Sequence, residues 1–131
     1  MSAMLSLILA QAASATCVMP TPLPLNLRAW EVSASVVRND QMIALGIPAL
    51  VTLSNHSGEM WAVAPGKAPP ANSHAGAYPF EVDRPGQYRV VLSAKAWVDI
   101  VRDGAAIKSI GHEHGPACSD IAKMVTFALK P

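Results

Sequence analysis

The sequence predicts an all-β protein, an antiparallel β-sandwich of jelly-roll or immunoglobulin-like style. Three observations predict it. Apolar and polar residues alternate at a period of two, Pro- and Gly-rich turns separate these runs, and no segment after residue 15 has the apolar stripe of an amphipathic helix. A chain of 131 residues has room for one domain, and about seven short strands are typical of a sandwich.

The N-terminal half of this domain alternates between prolines and short apolar runs. Prolines at positions 20, 22 and 24 favour an extended lead-in over a helix. The run "WEVSASVV" places Val32, Ala34 and Val36 on one face of a strand, and "IPALVTLSN" predicts a strand that ends at Asn55. Residues 65–79 are rich in Pro, Ala and Gly and predict a long loop of the functional or mobile kind.

Two turns divide the second half into strands. Arg84-Pro85-Gly86-Gln87 is typical of a type II turn in which Gly86 supplies a positive φ. Asp103-Gly104 is typical of a tight β-hairpin. Before that hairpin, "AWVDIV" carries bulky residues on both faces, which predicts a central strand with Trp97 in the core.

The first fifteen residues predict an export signal. Residues 3–10 form an apolar run too short to span a bilayer, and Ala13-Ser14-Ala15 has the small-x-small pattern of a signal-peptidase site. A buried first helix, or a lipoprotein with Cys17 as its acceptor, are the alternatives. Cleavage would leave residues 16–131 as a single β-sandwich domain, periplasmic or secreted, with no transmembrane segment.

The two cysteines predict a disulfide. Cys17 and Cys118 both lie after the cleavage site, and an even count in an exported chain favours pairing because the compartment is oxidising. Two unpaired thiols that lie too far apart to meet are the alternative.

Charge and motif content exclude several function classes. Ten basic and nine acidic residues are scattered along the chain without a basic stripe, so nucleic acid is excluded as a partner. An unidentified protein or small molecule remains. The chain has no Gly-x-Ser-x-Gly nucleophile motif, and Glu81, Asp83 and Asp99 are expected to face solvent.

The stretch "GHEHGPACSD", residues 111–120, is the candidate metal site. In an extended chain His112 and His114 point to the same side and could share one divalent transition metal (Cu, Zn or Fe). His56 or His74 would join them only if the fold brought them near. The alternative is a solvated turn whose glycines and proline shape the chain for Cys118.

Tryptophans are the candidate ligand-binding residues. Trp30 and Trp61 could form an aromatic platform for a sugar, and core packing is the alternative for both. Met60 beside Trp61 also resembles the soft-ligand pairs of periplasmic Cu(I) carriers, although methionine commonly fills gaps in a core.

The segment "FEVDRPGQYRVVLSAKAWVDIV", together with "GHEHGPACSDIAKMVTFAL", resembles a family of small exported proteobacterial β-sandwich proteins. Members of that family are sometimes labelled homogentisate 1,2-dioxygenase. The resemblance implies an iron site of two histidines and a carboxylate centred on His112 and His114. No glutamate stands at positions 118 or 119, however, and no histidine follows His114.

The C-terminal run "IAKMVTFAL" predicts a strand because Val125, Thr126 and Phe127 favour extended chain. The resembling family continues past this point with a further strand. The sandwich would therefore lack its last strand, and residues 122–129 are expected to have at least one flank unpaired.

Together these observations favour an exported, non-catalytic accessory or binding module of the periplasm. The alternatives are a metal-dependent enzyme of homogentisate 1,2-dioxygenase type centred on the His-x-His stretch, and a periplasmic copper-binding protein.

Overall fold

The structure, a computed structural model, describes Cys17 and residues 22–38, 40–55 and 63–131. The expected signal segment lies outside these residues. Over the described part the chain is mainly β, with one short 3₁₀ helix followed by nine strands. The helix is Leu25–Glu31, and the strands are β1 Ser35–Val37, β2 Ala49–Val51, β3 Ser54–Asn55, β4 His74–Ala75, β5 Gly86–Leu92, β6 Ile100–Arg102, β7 Ala105–Ile107, β8 Gly111–His114 and β9 Lys123–Leu129.

The largest sheet has three antiparallel strands in the order β5-β9-β8. β5 pairs with β9 along its whole length, from Gly86 opposite Leu129 to Leu92 opposite Lys123. The predicted C-terminal strand is therefore confirmed. The expectation of an unpaired flank is wrong over residues 123–126, because β8 pairs there on the other side. Phe127 pairs with Tyr88 of β5, and the ladder with β8 stops at Thr126.

Both faces of β9 are buried, each by a different part of the chain. Val125, Phe127 and Leu129 pack with Ile100 on one face, and Phe127 is 1% exposed. Met124, which points to the opposite face, packs with the N-terminal Leu23 and Leu27 and with Ile121. The alternating side chains of one strand thus join two hydrophobic clusters.

The β6–β7 hairpin confirms one predicted turn, whereas the other predicted turn is wrong. Asp103 and Gly104 have φ of 50° and 77°, as a two-residue hairpin turn requires. Gly86 does not have a positive φ; it begins β5, opposite Leu129. Pairing with β9 therefore determines the conformation of Gly86.

Pro24 has the extended backbone that the prolines predict (φ −54°, ψ 154°), and a helix that was not predicted follows it. Leu25–Glu31 forms this 3₁₀ helix, which starts after Pro24 and turns the Leu27 side chain into the core. The expected inward face of the first strand is also wrong: Val32 and Val36 are exposed, and Val37 is the buried residue of β1. β1 pairs with β2 in parallel, whereas the sandwich prediction required antiparallel pairing.

Two-stranded pairs account for the remaining described strands. "IPALVTLSN" forms β2 and β3, two short strands instead of one, and β4 within the predicted long loop pairs with β3. Tyr78 fixes the break between β2 and β3, since its hydroxyl donates to the Thr52 carbonyl (2.6 Å) and accepts from the Thr52 N–H (3.0 Å). The mainly β prediction is confirmed.

The predicted disulfide joins Cys17 to Cys118, with the Cα atoms 5.4 Å apart. It spans 101 positions of the sequence, and closing a loop of that length stabilises a fold by about 4–5 kcal/mol in the chain-entropy model. Such bonds are typical of oxidising compartments outside the cytosol. No helix in the described ranges is long and apolar enough to cross a membrane.

Gly115 generates a stability prediction. A Cβ atom there would overlap the carbonyl oxygen of Ile121 and lie 2.6 Å from its carbonyl carbon, so the backbone would have to move. We expect Gly115→Ala to lower the free energy of unfolding by about 2–3 kcal/mol, measured by urea denaturation. Gly111→Ala is the matched control, because its nearest neighbour would be Thr126 Cβ at an ordinary 3.5 Å. Equal stability of the two variants would contradict the prediction.

Candidate functional site

The stretch from residue 111 to 120 contains a strand, a turn and one half of the disulfide. β8 carries His112 and His114 opposite Val125 and Lys123 of β9. After β8 the chain turns, with the Ser119 hydroxyl donating to the Pro116 carbonyl at 2.6 Å. Cys118 then adopts a φ of 61° and bonds to Cys17.

The two histidines lie on the same side of β8, as the period of two predicts. Both are exposed, and their ring centroids are 6.1 Å apart. That separation leaves room for one ion between the rings, because a ring nitrogen lies roughly 2.0–2.1 Å from a bound Zn²⁺.

A third ligand for such an ion is lacking in the described part of the chain. No group of three or more His, Cys, Asp or Glu side chains there could hold a metal. His74 lies in β4 of a different sheet, and His56 lies outside the described residues. Lys123 is cross-strand from His114, so its positive charge opposes a cation at this edge.

Of the two tryptophans predicted to bind a ligand, only Trp30 lies within the described residues. Trp30 is half-buried and packs against the cluster of Leu23, Leu27, Ile121 and Met124, while its indole N–H donates to Asp120 Oδ1 at 2.7 Å. This residue therefore forms part of the wall of the core, and its predicted ligand contact stays a prediction. Trp61, with Met60, lies outside the described residues.

Trp97 is exposed, and its prediction as a core residue of a central strand is wrong. It lies in the segment between β5 and β6, outside any strand, with 55% of its surface accessible. The alternation in "AWVDIV" suggested a strand, but only Ile100 and Val101 of this run enter β6.

Asp99 fixes the orientation of the Trp97 indole. Its Oδ2 accepts a hydrogen bond from the indole N–H at 3.0 Å and a second from the backbone N–H of Gly66 at 2.9 Å. Gly66 lies close to both side chains, since a Cβ there would be 3.2 Å from Asp99 Oδ1 and 3.4 Å from Trp97 Cζ2. Asp99 is half-buried and bonded within the chain, whereas Glu81 and Asp83 are exposed as predicted.

Two ammonium groups lie near the same indole. Lys123 Nζ is 5.4 Å and Lys67 Nζ 6.0 Å from the ring centroid, both within cation–π range. Lys123 also donates to the carbonyl of Ala96 at 3.0 Å. In the described part of the chain, neither ammonium forms an ion pair. We call Trp97, Asp99, Gly66, Lys67 and Lys123 the Trp97 platform.

Only a weak indication of this platform is present in the sequence. Trp97 and Asp99 are two positions apart, so an extended chain already places their side chains on the same side. Gly66 and Lys67 come from the long Pro-, Ala- and Gly-rich loop; Gly66 bonds to Asp99 across 33 positions of the sequence, and Lys67 lies over the Trp97 ring. Only the tertiary fold brings them together.

A groove of about 250 Å³ lies elsewhere, beside the β6–β7 hairpin. Its apolar lining is shared with the cluster around Phe127, and Arg102 closes one end by donating to the carbonyl of Lys130. Because its lining completes the core, we regard the Trp97 platform as the better candidate site.

Comparison of the chain with protein-family models, with curated proteins and with solved structures finds no match. The candidate site therefore depends on the geometry of this chain alone.

The Trp97 platform generates a prediction about indole orientation. Asp99→Ala removes the acceptor of the indole N–H, so we expect the ¹H–¹⁵N signal of the Trp97 side chain to shift and its heteronuclear NOE to fall. Asp120→Ala is the matched control, because Asp120 accepts from Trp30 and its loss should move the Trp30 signal instead. An unchanged Trp97 signal in Asp99→Ala would show that Asp99 does not hold the ring.

Proposed function

We propose that the chain is an exported, non-catalytic β-sandwich module of the periplasm that binds a saccharide ligand on the Trp97 platform. Membership in the small exported proteobacterial family that the sequence resembles is part of this proposal. The observation that carries it is an exposed indole held in one orientation.

The free-energy cost of leaving the Trp97 indole exposed to water supports a binding role for this residue. A large apolar ring in water forgoes the free energy of burial, about 25 cal/mol per Å², and tryptophan is enriched among residues that dominate binding energy. The hydrogen bond to Asp99 restricts the ring before a ligand arrives, which reduces the ordering cost of association. Pyranose rings present flat C–H faces that stack on such an indole.

The role of Asp99 supports a binding module over an enzyme. Its Oδ2 accepts from an indole and from a backbone N–H, so the carboxylate serves to position the platform. General acid–base catalysis instead needs a group within reach of a reacting proton. The disulfide supports export, because such bonds persist in oxidising compartments.

Substitution of Trp97 tests the proposal. We expect Trp97→Ala to abolish the retardation of the mature protein in native gels that contain soluble polysaccharides, because stacking on the indole supplies most of the contact. The panel comprises neutral β-glucan and mannan and acidic polygalacturonate. Leu50→Ala, which removes another exposed apolar side chain, is the control and should migrate like the unaltered protein. Equal retardation of the Trp97→Ala variant would contradict the role of Trp97.

A second candidate function is metal binding at His112 and His114, as a copper-binding protein or a metal-dependent enzyme. The 6.1 Å separation of the two exposed rings favours it. A dioxygenase iron site does not fit the described residues, since no carboxylate joins the two histidines in a group of three ligands. A two-histidine site for a divalent ion remains.

Metal titration separates these functions. We expect Cu²⁺ to bind weakly, to be removed by dialysis, and to be lost in His112→Ala/His114→Ala, because two imidazoles alone make an incomplete ligand set. His74→Ala is the control and should titrate like the unaltered protein. Stoichiometric metal that survives dialysis in the unaltered protein but not in the double variant, measured by mass spectrometry, would favour a metal-dependent enzyme.

A further inference from the structure

We propose that the Trp97 platform selects acidic saccharides, polymers of uronic acid, over neutral ones. This inference rests on the proposed function and names the substrate class of the same site. It is carried by the two ammonium groups that lie over an exposed, oriented indole, 6.0 and 5.4 Å from its ring centroid.

The two lysines reach the indole from different parts of the chain. Lys67 follows Gly66 in the long loop, and Lys123 begins β9 and is held by the Ala96 carbonyl. Their Nζ atoms lie 6.0 and 5.4 Å from the ring centroid. Because the two lysines come from distant parts of the chain, their juxtaposition is a property of the tertiary structure.

Both ammonium groups can still take an anion. Neither forms an ion pair within the described part of the chain. Lys67 is exposed and Lys123 half-buried, and a cation–π contact at an exposed site is weak, about 0.5–1 kcal/mol. A carboxylate of the ligand would add charge-assisted hydrogen bonds, which are shorter and stronger than neutral ones.

The carboxylate of Asp99 does not form an ion pair with either lysine of the platform. Asp99 is half-buried, and its Oδ2 accepts from the Trp97 indole and from Gly66. The platform therefore carries two cations and one engaged anion. A uronic acid matches both components, since its ring face stacks on the indole while its carboxylate meets an ammonium.

The experiment compares two polymers on one backbone, one with free carboxylates and one in which methyl esters remove the charge. Polygalacturonate and its fully methyl-esterified form share one backbone, and binding to the mature protein is measured by isothermal titration at low salt. We expect roughly tenfold tighter binding of polygalacturonate, in line with two exposed ion pairs. In Lys67→Gln/Lys123→Gln the preference should fall below about twofold, while Lys67→Arg/Lys123→Arg should retain it because the charge is kept.

Controls separate the charge effect from folding. Lys108→Gln removes an exposed lysine outside the platform and should keep the full preference. Thermal melts identify any variant that fails to fold, and the single Lys67→Gln variant, which leaves the bond of Lys123 to the Ala96 carbonyl in place, then decides the result by losing part of the preference.

The outcomes distinguish this inference from the proposed function. Equal affinity for the two polymers, with binding lost in Trp97→Ala, overturns the charge selection and leaves saccharide binding in place. A preference that survives Lys67→Gln/Lys123→Gln also overturns it. Failure of the unaltered protein to bind either polymer or the neutral glucans overturns both.

Discussion

Burial of β9 on both faces is the constraint on which the rest of the structure depends. Its alternating side chains must be covered on each side, and two unrelated segments do so: the β6–β7 hairpin region meets Phe127, while the N-terminal segment meets Met124. Hydrophobic burial is the dominant favourable term in folding, so each segment is held mainly by what it covers. Removing either layer would expose one face of the same central strand.

The stretch "GHEHGPACSD" is explained first by this constraint. The Cys17–Cys118 bond ties the N-terminal segment to the chain just before β9, beside the face that Leu23 and Leu27 cover. Gly115 lets the chain pass against the backbone of Ile121, where a side chain would not fit. The histidines occupy the exposed edge strand that precedes this crossing. Structural requirements therefore account for the glycine and the cysteine, and only the histidine pair is left for a ligand.

The indole of the Trp97 platform is held in place differently from the side chains of the core. It is kept out of the hydrophobic clusters, and its polar edge is bonded to Asp99. Trp30 uses the same kind of bond, to Asp120, yet its ring packs against the core. The two tryptophans show that a hydrogen bond to the indole N–H does not by itself distinguish a structural residue from a candidate binding residue. Exposure of the ring and the cations beside it make that distinction.

The sequence by itself determined the features that depend on short-range preferences, namely the β9 strand with its β-branched and aromatic residues and the hairpin turn at Asp103 and Gly104. It also determined the disulfide, because a chain with two cysteines allows only one pairing. Tertiary structure decided the rest. Gly86 lost its predicted positive φ because pairing with β9 extends the chain there. The alternation of residues around Trp97 predicted a buried side chain. Trp97 is exposed, because burial depends on which distant segments cover a residue. The spacing of residues in the sequence cannot predict such long-range contacts, for example the hydrogen bond between Gly66 and Asp99.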